Sequence, residues 1–471
     1  MGTKRRRGGD GGMEENTMAI LDTSCFSKST QHVADDRLAF LEAVRSGFLV
    51  PENAAAPTNE MYKAIFQILK DENSLDLIMS SYQLLLELDK RFPRVYFSVA
   101  EKSESSSSLL HDELVVVEEA WSPYSLGTDV SSSAKQQDHN KTSGSFDATA
   151  FHLLIEDLAK VPDDVTTEET GLKRLRNMLL FQYLVNVLEG DFIPRNKSFK
   201  ENSKWTTLRD SLLSMILVSR KINFKGLIKE CLSTLCELSQ FSIDSSHDVR
   251  PPESGSTEVT ERCHAALAIA LPEVVKRTCD SVQKLLSMII ELDSSKMAAD
   301  MDGLTTRADG TRTPATEIIL EELTYDKDIL FPFFQALDKP KLKLDMIVQY
   351  FQKYIPKTSV RTRRSNGCEI DSTFGGMLKC FSDGNSTKSI IKKITNEAAQ
   401  LLLAHAFQAY ILLPSQQSTE SNKGIVDNSL PEICNNMVSA FACLKKTDSH
   451  TGILPFGKEA LLTAAIMLSK S

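Results

Sequence analysis

From Asp36 to Val50 the apolar positions Leu38, Leu41, Val44 and Phe48 fall at steps of three and four, and Pro51 closes the run. That spacing lines one face of an α-helix. Thr58 stands as an N-cap before Met61, Ile65, Ile68 and Leu69, and a third run carries Leu75, Ile78, Tyr82, Leu85 and Leu88 before Pro93. Three amphipathic helices with short connections are predicted. The period resumes over 148–160, 168–190, 204–220 and 222–240, then over 258–293, where Pro272 is a break or a new first turn. Thr313 as N-cap and Pro314 in the first turn predict a helix through Leu323. Asp338 before Pro340 opens another that ends at Pro356, and further helices are expected over 387–412, 430–445 and 456–469. These spacings give about fourteen helices and no strand. The predicted class is all-α, an armadillo- or HEAT-like stack or an irregular multi-helix array.

Polar stretches punctuate the pattern. Residues 1–34 are Gly-rich and then polar, and a disordered N-terminal tail is expected there. Ser103–Ser108 and Ser131–Ser145 read as loops, with Val115–Val130, containing Trp121-Ser122-Pro123, as an ordered bridge between them. The expected organisation is a helical segment over 35–130, a linker over 131–146 and a helical array over 147–471, with a loop near 243–257.

Composition narrows the classes. The 471 residues are 41% apolar, and 54 Lys and Arg stand against 63 Asp and Glu, a net charge of −9. A chain this acidic does not coat nucleic acid with its whole surface, although a local basic strip can still bind. The nine cysteines are scattered, which predicts reduced intracellular thiols. Ala398–Leu413 is too short and too polar for the ~20 residues a membrane span needs, and no membrane contact is expected. Lys4, Arg5, Arg6 and Arg7 fit a short nuclear import signal or a solvated tail.

Catalytic signals are weak. Gly452–Glu459 matches a phosphate-binding loop except that Glu459 replaces the metal-binding hydroxyl. Pro455 has no N–H for a phosphate, and no strand precedes the loop, so a turn and helix start is the better reading. Cys231 and Cys236 lie on different faces of one helix, adjacent Cys263 and His264 cannot share an ion, and His405 reads as a core or groove histidine. No catalytic residue, metal ligand, cofactor or small-molecule substrate is predicted.

Electrostatics offer more. Between Lys339 and Arg364 eight cations (Lys339, Lys341, Lys343, Lys353, Lys357, Arg361, Arg363 and Arg364) face one acid, Asp345. Lys388, Lys392 and Lys393 extend the strip. Lys353, Lys357, Arg361, Arg363 and Arg364 are the candidate contacts, to DNA phosphates or an acidic partner; a second import signal and a solvated face are the other readings. Tyr350, Phe351 and Tyr354 have the spacing of core residues. The loop Arg307–Pro314 is either an anion receiver with two arginines or a turn at Asp309-Gly310 followed by a cap at Thr313, the second being preferred.

Several stretches are idiosyncratic: DRLAFLEAVRSGFLVPENAAAPTNEMYKAIFQIL (36–69), VEEAWSPYSLGTDV (117–130), FIPRN (192–196), SRKINFK (219–225), IIELDSSKMAADMDGLTTRADGTRTPATEIILEELTYD (289–326), KYIPKTSVRTRR (353–364) and ILPFGKEALLTAA (453–465). Through them the chain resembles the family of plant negative regulators of systemic acquired resistance, leucine-rich nuclear proteins. The resemblance implies an armadillo-like protein that restrains pathogenesis-related genes. It also implies a non-catalytic subunit of the structural-maintenance-of-chromosomes five–six complex, acting in DNA-damage repair and homologous recombination. A second non-SMC element is the implied heterodimer partner. The family brings no catalytic residues.

Overall fold

The computed structural model describes residues 17–21, 30–52, 54–98, 113–124, 146–160, 168–244, 258–310, 312–337, 339–354, 373–382, 384–413, 429–448 and 450–470. They form two compact units, Met1–Ala315 and Thr316–Ser471. No helix among them is long and apolar enough to cross a membrane.

The first unit begins with α1 (Thr30–Phe48), α2 (Asn59–Asp71) and α3 (Leu75–Arg91), the three helices that the apolar period predicts. α1 starts at Thr30 and residues 17–21 are helical, so helix reaches into the segment expected to be tail. Two strands then appear where none was expected. β1 (Val95–Ser98) and β2 (Glu113–Val116) pair antiparallel, Val95 opposite Val116 and Ser98 opposite Glu113. Four residues apiece are too few for a period of two to stand out in sequence. The sheet lies on α5 (Glu168–Asn202), whose Lys197 ammonium sits 4.6 Å from the Phe97 ring centre.

The first unit includes residues on both sides of 131–146. Trp121 stacks on Tyr62 at 5.2 Å and meets Phe66 edge-on at 5.6 Å. Phe66 in turn touches Phe146 and Tyr183, and Tyr124 meets Phe151 of α4 (Ala148–Ala159). Aromatic pairs of this kind add ~0.5–1.5 kcal/mol each beyond their burial, enough to hold the bridge against α2, α4 and α5. α5 runs past the expected end near 190 and through Pro194, and α9 (Glu258–Met301) runs through Pro272, where a break or a new first turn was expected. Phe192 and Leu188 are fully buried beside Pro194, and that packing holds the helix across the missing hydrogen bond. α6 (Trp205–Arg209), α7 (Leu212–Val218) and α8 (Phe224–Asp244) complete the unit; the single helix expected over 204–220 divides at Ser211, whose hydroxyl caps Ser214 N–H.

The second unit holds α10 (Ala315–Tyr325, whose first residue closes the first unit), α11 (Lys327–Ala336), α12 (Pro340–Gln352), α13 (Phe374–Cys380), α14 (Gly384–Ile394), α15 (Asn396–Leu412), α16 (Leu430–Thr447) and α17 (Pro455–Lys470). α15 is buried on most of its faces, in keeping with a sequence rich in Ala and Leu that buries even Gln400 and His405; it is the unit's central helix. Phe333, Phe334, Phe351, Phe381, Phe407 and Phe441 fill the core. The single helix expected over 387–412 divides at Thr395, which adopts φ 66° and caps Ala398 N–H.

Candidate interaction surfaces

The loop after α9, for which the sequence predicts a turn or an anion receiver, forms a turn. Thr306 and Asp309 make a capping box over a 3-10 turn, and Gly310 follows at φ 62°. Burial pushes the Asp309 carboxyl up, but hydrogen bonds from Thr306 and the Trp205 indole outweigh it and hold it below the usual range. Lys296 donates to the Asp309 and Gly310 carbonyls. Arg312 does not await an anion: its Nη2 reaches Asp293 Oδ1 at 2.7 Å, and its guanidinium lies 4.1 Å from the Phe224 ring centre. The other oxygen of Asp293 accepts Ala315 N–H at 2.8 Å. The cap of α10 is therefore Asp293, not the expected Thr313, because a carboxylate already held by Arg312 offers the stronger acceptor. Arg307 stays exposed on the turn.

FIPRN resolves into a second polar clamp. Asp191, 1% exposed, accepts from Arg195 Nε at 3.1 Å and from Leu212 N–H at the start of α7 at 2.8 Å. Arg94 Nε stands 3.8 Å away. Arg195 also donates to the Thr207 carbonyl, and Asn196 accepts from Ser295 Oγ of α9. Each buried charge has its partner here, so the cluster ties elements together.

The loop Gly452–Lys458 is clamped from behind. Gln400 Nε2 donates to the Gly452 carbonyl at 3.2 Å, and Gln400 Oε1 accepts Leu454 N–H at 2.9 Å. A Cβ on Gly457 would come within 2.7 Å of the Phe441 ring, so this glycine permits α16 and α17 to approach. One loop amide already serves Gln400, and Pro455 has none to give.

Two family models match: the SNI1 middle domain over residues 94–339 and the SNI1 C-terminal domain over residues 355–471. The chain belongs to the SNI1 family. It is 42% identical over 469 residues, 99% of this chain and 97% of the other, to the negative regulator of systemic acquired resistance SNI1 of Arabidopsis thaliana. By its name the relative is a negative regulator, and Asp293 and Arg312 of the first clamp lie within 289–326, one of the stretches that carry the resemblance.

Within this SNI1-family chain the basic strip is only partly described. Lys353 is exposed at the end of α12, and Lys341 is exposed near its start. Lys357, Arg361, Arg363 and Arg364 lie outside the described residues, as do Lys4, Arg5, Arg6 and Arg7. Tyr350 and Phe351 are buried, and the Tyr354 hydroxyl meets Thr324 Oγ1, which makes them core rather than base-stacking residues. Lys388, Lys392 and Lys393 are exposed on α14.

Two buried titratable groups stand out. His405 lies between Phe331 and Phe456, and burial, with Lys343 adding repulsion, brings its pKa down to about 4. Among the described residues no group of three His, Cys, Asp or Glu could hold a metal ion. Asp89 of α3, which sequence reasoning passed over, is pushed up to about 7 by burial, with the Tyr183 hydroxyl opposing the shift. Its signal was available as an acid at the end of an apolar stripe. Burial likewise pushes the Cys231 thiol up and the Cys279 thiol to about 12, which makes both poor nucleophiles.

Proposed function

We infer that this chain restrains systemic acquired resistance and that it does so by binding, without catalysis. We read it as a nuclear scaffold subunit of the structural-maintenance-of-chromosomes five–six complex, acting in DNA-damage repair and homologous recombination and paired with a second non-SMC element. The observation that carries the reading is 42% identity over 99% of the chain to the Arabidopsis regulator. In support, the two loops weighed for chemistry, Arg307–Pro314 and Gly452–Glu459, spend polar groups on internal hydrogen bonds.

The test is expression of this chain in Arabidopsis lacking its relative. Restored repression of pathogenesis-related genes, with co-purification of the complex's subunits from nuclei, is expected. Failure to restore repression at normal protein levels overturns the regulatory reading, and its recovery without those subunits overturns the assembly. Direct DNA-binding repression through 339–364 is the competing reading, favoured by the exposed Lys341 and Lys353. Loss of duplex binding in the triple variant Arg361→Glu, Arg363→Glu, Arg364→Glu is its signature.

A further inference from the structure

The acidic excess of this chain is not shared evenly. Thr316–Ser471 carries 18 Lys and Arg against 16 Asp and Glu, while Met1–Ala315 carries 36 against 47. Within the basic unit, α14 and α16 end side by side. Thr387 Oγ1 lies 3.4 Å from Cys443 Sγ, and Asn396, two residues past α14, donates to Asp448, the cap of α16, at 3.4 Å. Lys388, Lys392 and Lys393 of α14 and Lys445 and Lys446 of α16 are all exposed. Among the described residues the ion pair within this unit is Lys379 with Glu432, and none of these five lysines has one. The carboxylate nearest Lys445 and Lys446 in sequence, Asp448, is taken by Thr451 and Asn396, and the exposed Glu397, four positions after Lys393, makes no ion pair with it.

We propose that these five lysines form a contact face for the phosphate backbone of duplex DNA. Last-turn lysines complement a helix dipole, but Lys388 stands a full turn earlier, and dipoles do not require two such pairs on adjoining helix ends. Lysine is depleted from protein–protein interfaces, whose cores need aromatic or apolar anchors, whereas phosphate contacts are made by exposed cations of just this kind. Of the neighbouring exposed positions, Asn385 and Ser439 are polar and Ala442 is small, with Val438 the one large apolar side chain among them, which suits a wet, sequence-indifferent interface. The face adds to the reading of the chain as a binder and uses none of the residues 339–364. Repression could fail with DNA binding intact, or the reverse, so the two failures are distinguishable.

The test is fluorescence anisotropy of a short labelled duplex with the full chain. Five phosphate contacts give a salt slope of about −4.5, so affinity should fall at least about 500-fold between 50 and 200 mM salt. Changing Lys388, Lys392, Lys393, Lys445 and Lys446 together to Glu should abolish binding. The same change at the exposed Lys90, Lys173, Lys204, Arg220 and Lys276 should leave it within about threefold, because net charge alone is not the cause. If the five-fold Glu variant fails to fold, the pair Lys392→Gln with Lys445→Gln should still flatten the slope by ~1.8. No binding by the parent chain, parent-like binding by the α14/α16 variant, equal loss in the control variant, or an unchanged slope in the Gln pair overturns the proposal. Equal displacement of the duplex by an acidic peptide of matched charge also overturns it and assigns the face to a protein.

Discussion

In Met1–Ala315 the cations Lys160, Lys197, Lys200, Arg277 and Lys284 each sit against a carboxylate, whereas in Thr316–Ser471 the lysines of α14 and of the end of α16 do not. The buried groups differ in the same sense. The first unit encloses carboxylates, Asp191 fully paired and Asp89 raised by burial; the second encloses an imidazole, His405, between aromatic rings. Both units expose further cations, Lys90 and Lys173 in the first among them, but the first buries carboxylates where the second buries an imidazole, and the two should answer substitution and pH differently.

The largest effect is expected where a paired charge is orphaned. Asp191→Ala leaves Arg195, 7% exposed, without its carboxylate and the Leu212 N–H at the start of α7 without its acceptor, and should cost about 3–5 kcal/mol in denaturant unfolding. Adding Arg195→Met should recover much of that loss, since the desolvated cation is then gone. Equal stability of Asp191→Ala and the parent chain would break the account of the first unit.

pH separates the units by sign. Asp89 has a folded pKa of about 7 against an ordinary 3.8, so the native state holds its proton longer. Its contribution is present below pH 3.8 and is lost as pH rises through 7, and Asp89→Asn should stabilise the chain at pH 8 by up to about 4 kcal/mol but hardly at pH 3.5. His405 behaves oppositely. Its folded pKa of about 4 lies below the ordinary 6.5, so its contribution is present above pH 6.5 and is lost as pH falls through 4. His405→Leu should flatten that acid limb, by up to about 3 kcal/mol between pH 6.5 and 4. Unfolding curves taken across pH for both variants check the two signs; matching signs would erase the contrast.

Helices were legible because the apolar period is local: α1, α2 and α3 each repeat it over several turns. What escaped depends on distant partners or on short runs. Phe66 meets Tyr183 from 117 positions away, so the packing across 131–146 could not be read along the chain. Asp293 caps Ala315 from 22 positions away and displaces the obvious local candidate, Thr313. Pro194 carries a local signal that the burial of Leu188 and Phe192 overrides, and nothing about threonine announces the positive φ of Thr395 that divides α14 from α15. The surface was less legible still. Lys445 and Lys446 are ordinary last-turn lysines until packing sets them beside α14.

The smallest effects test the loop Gly452–Lys458, where sequence and structure agree against nucleotide binding. Gly457→Ala places a methyl 2.7 Å from the Phe441 ring, which cannot yield because Phe441 is 1% exposed in the core, and overpacking of this kind costs about 1–3 kcal/mol. Lys458 is exposed on α17 and donates its backbone N–H to Leu454, leaving its side chain in solvent. Lys458→Ala should therefore move stability by less than about 0.5 kcal/mol. ATP affinity should not change either, because Gln400 already occupies Leu454 N–H and Pro455 offers none. Calorimetric titration of ATP into the parent and the Lys458→Ala chain decides the point: binding that disappears with the lysine would mean that the loop opens away from Gln400 and that its glycine serves a phosphate rather than Phe441.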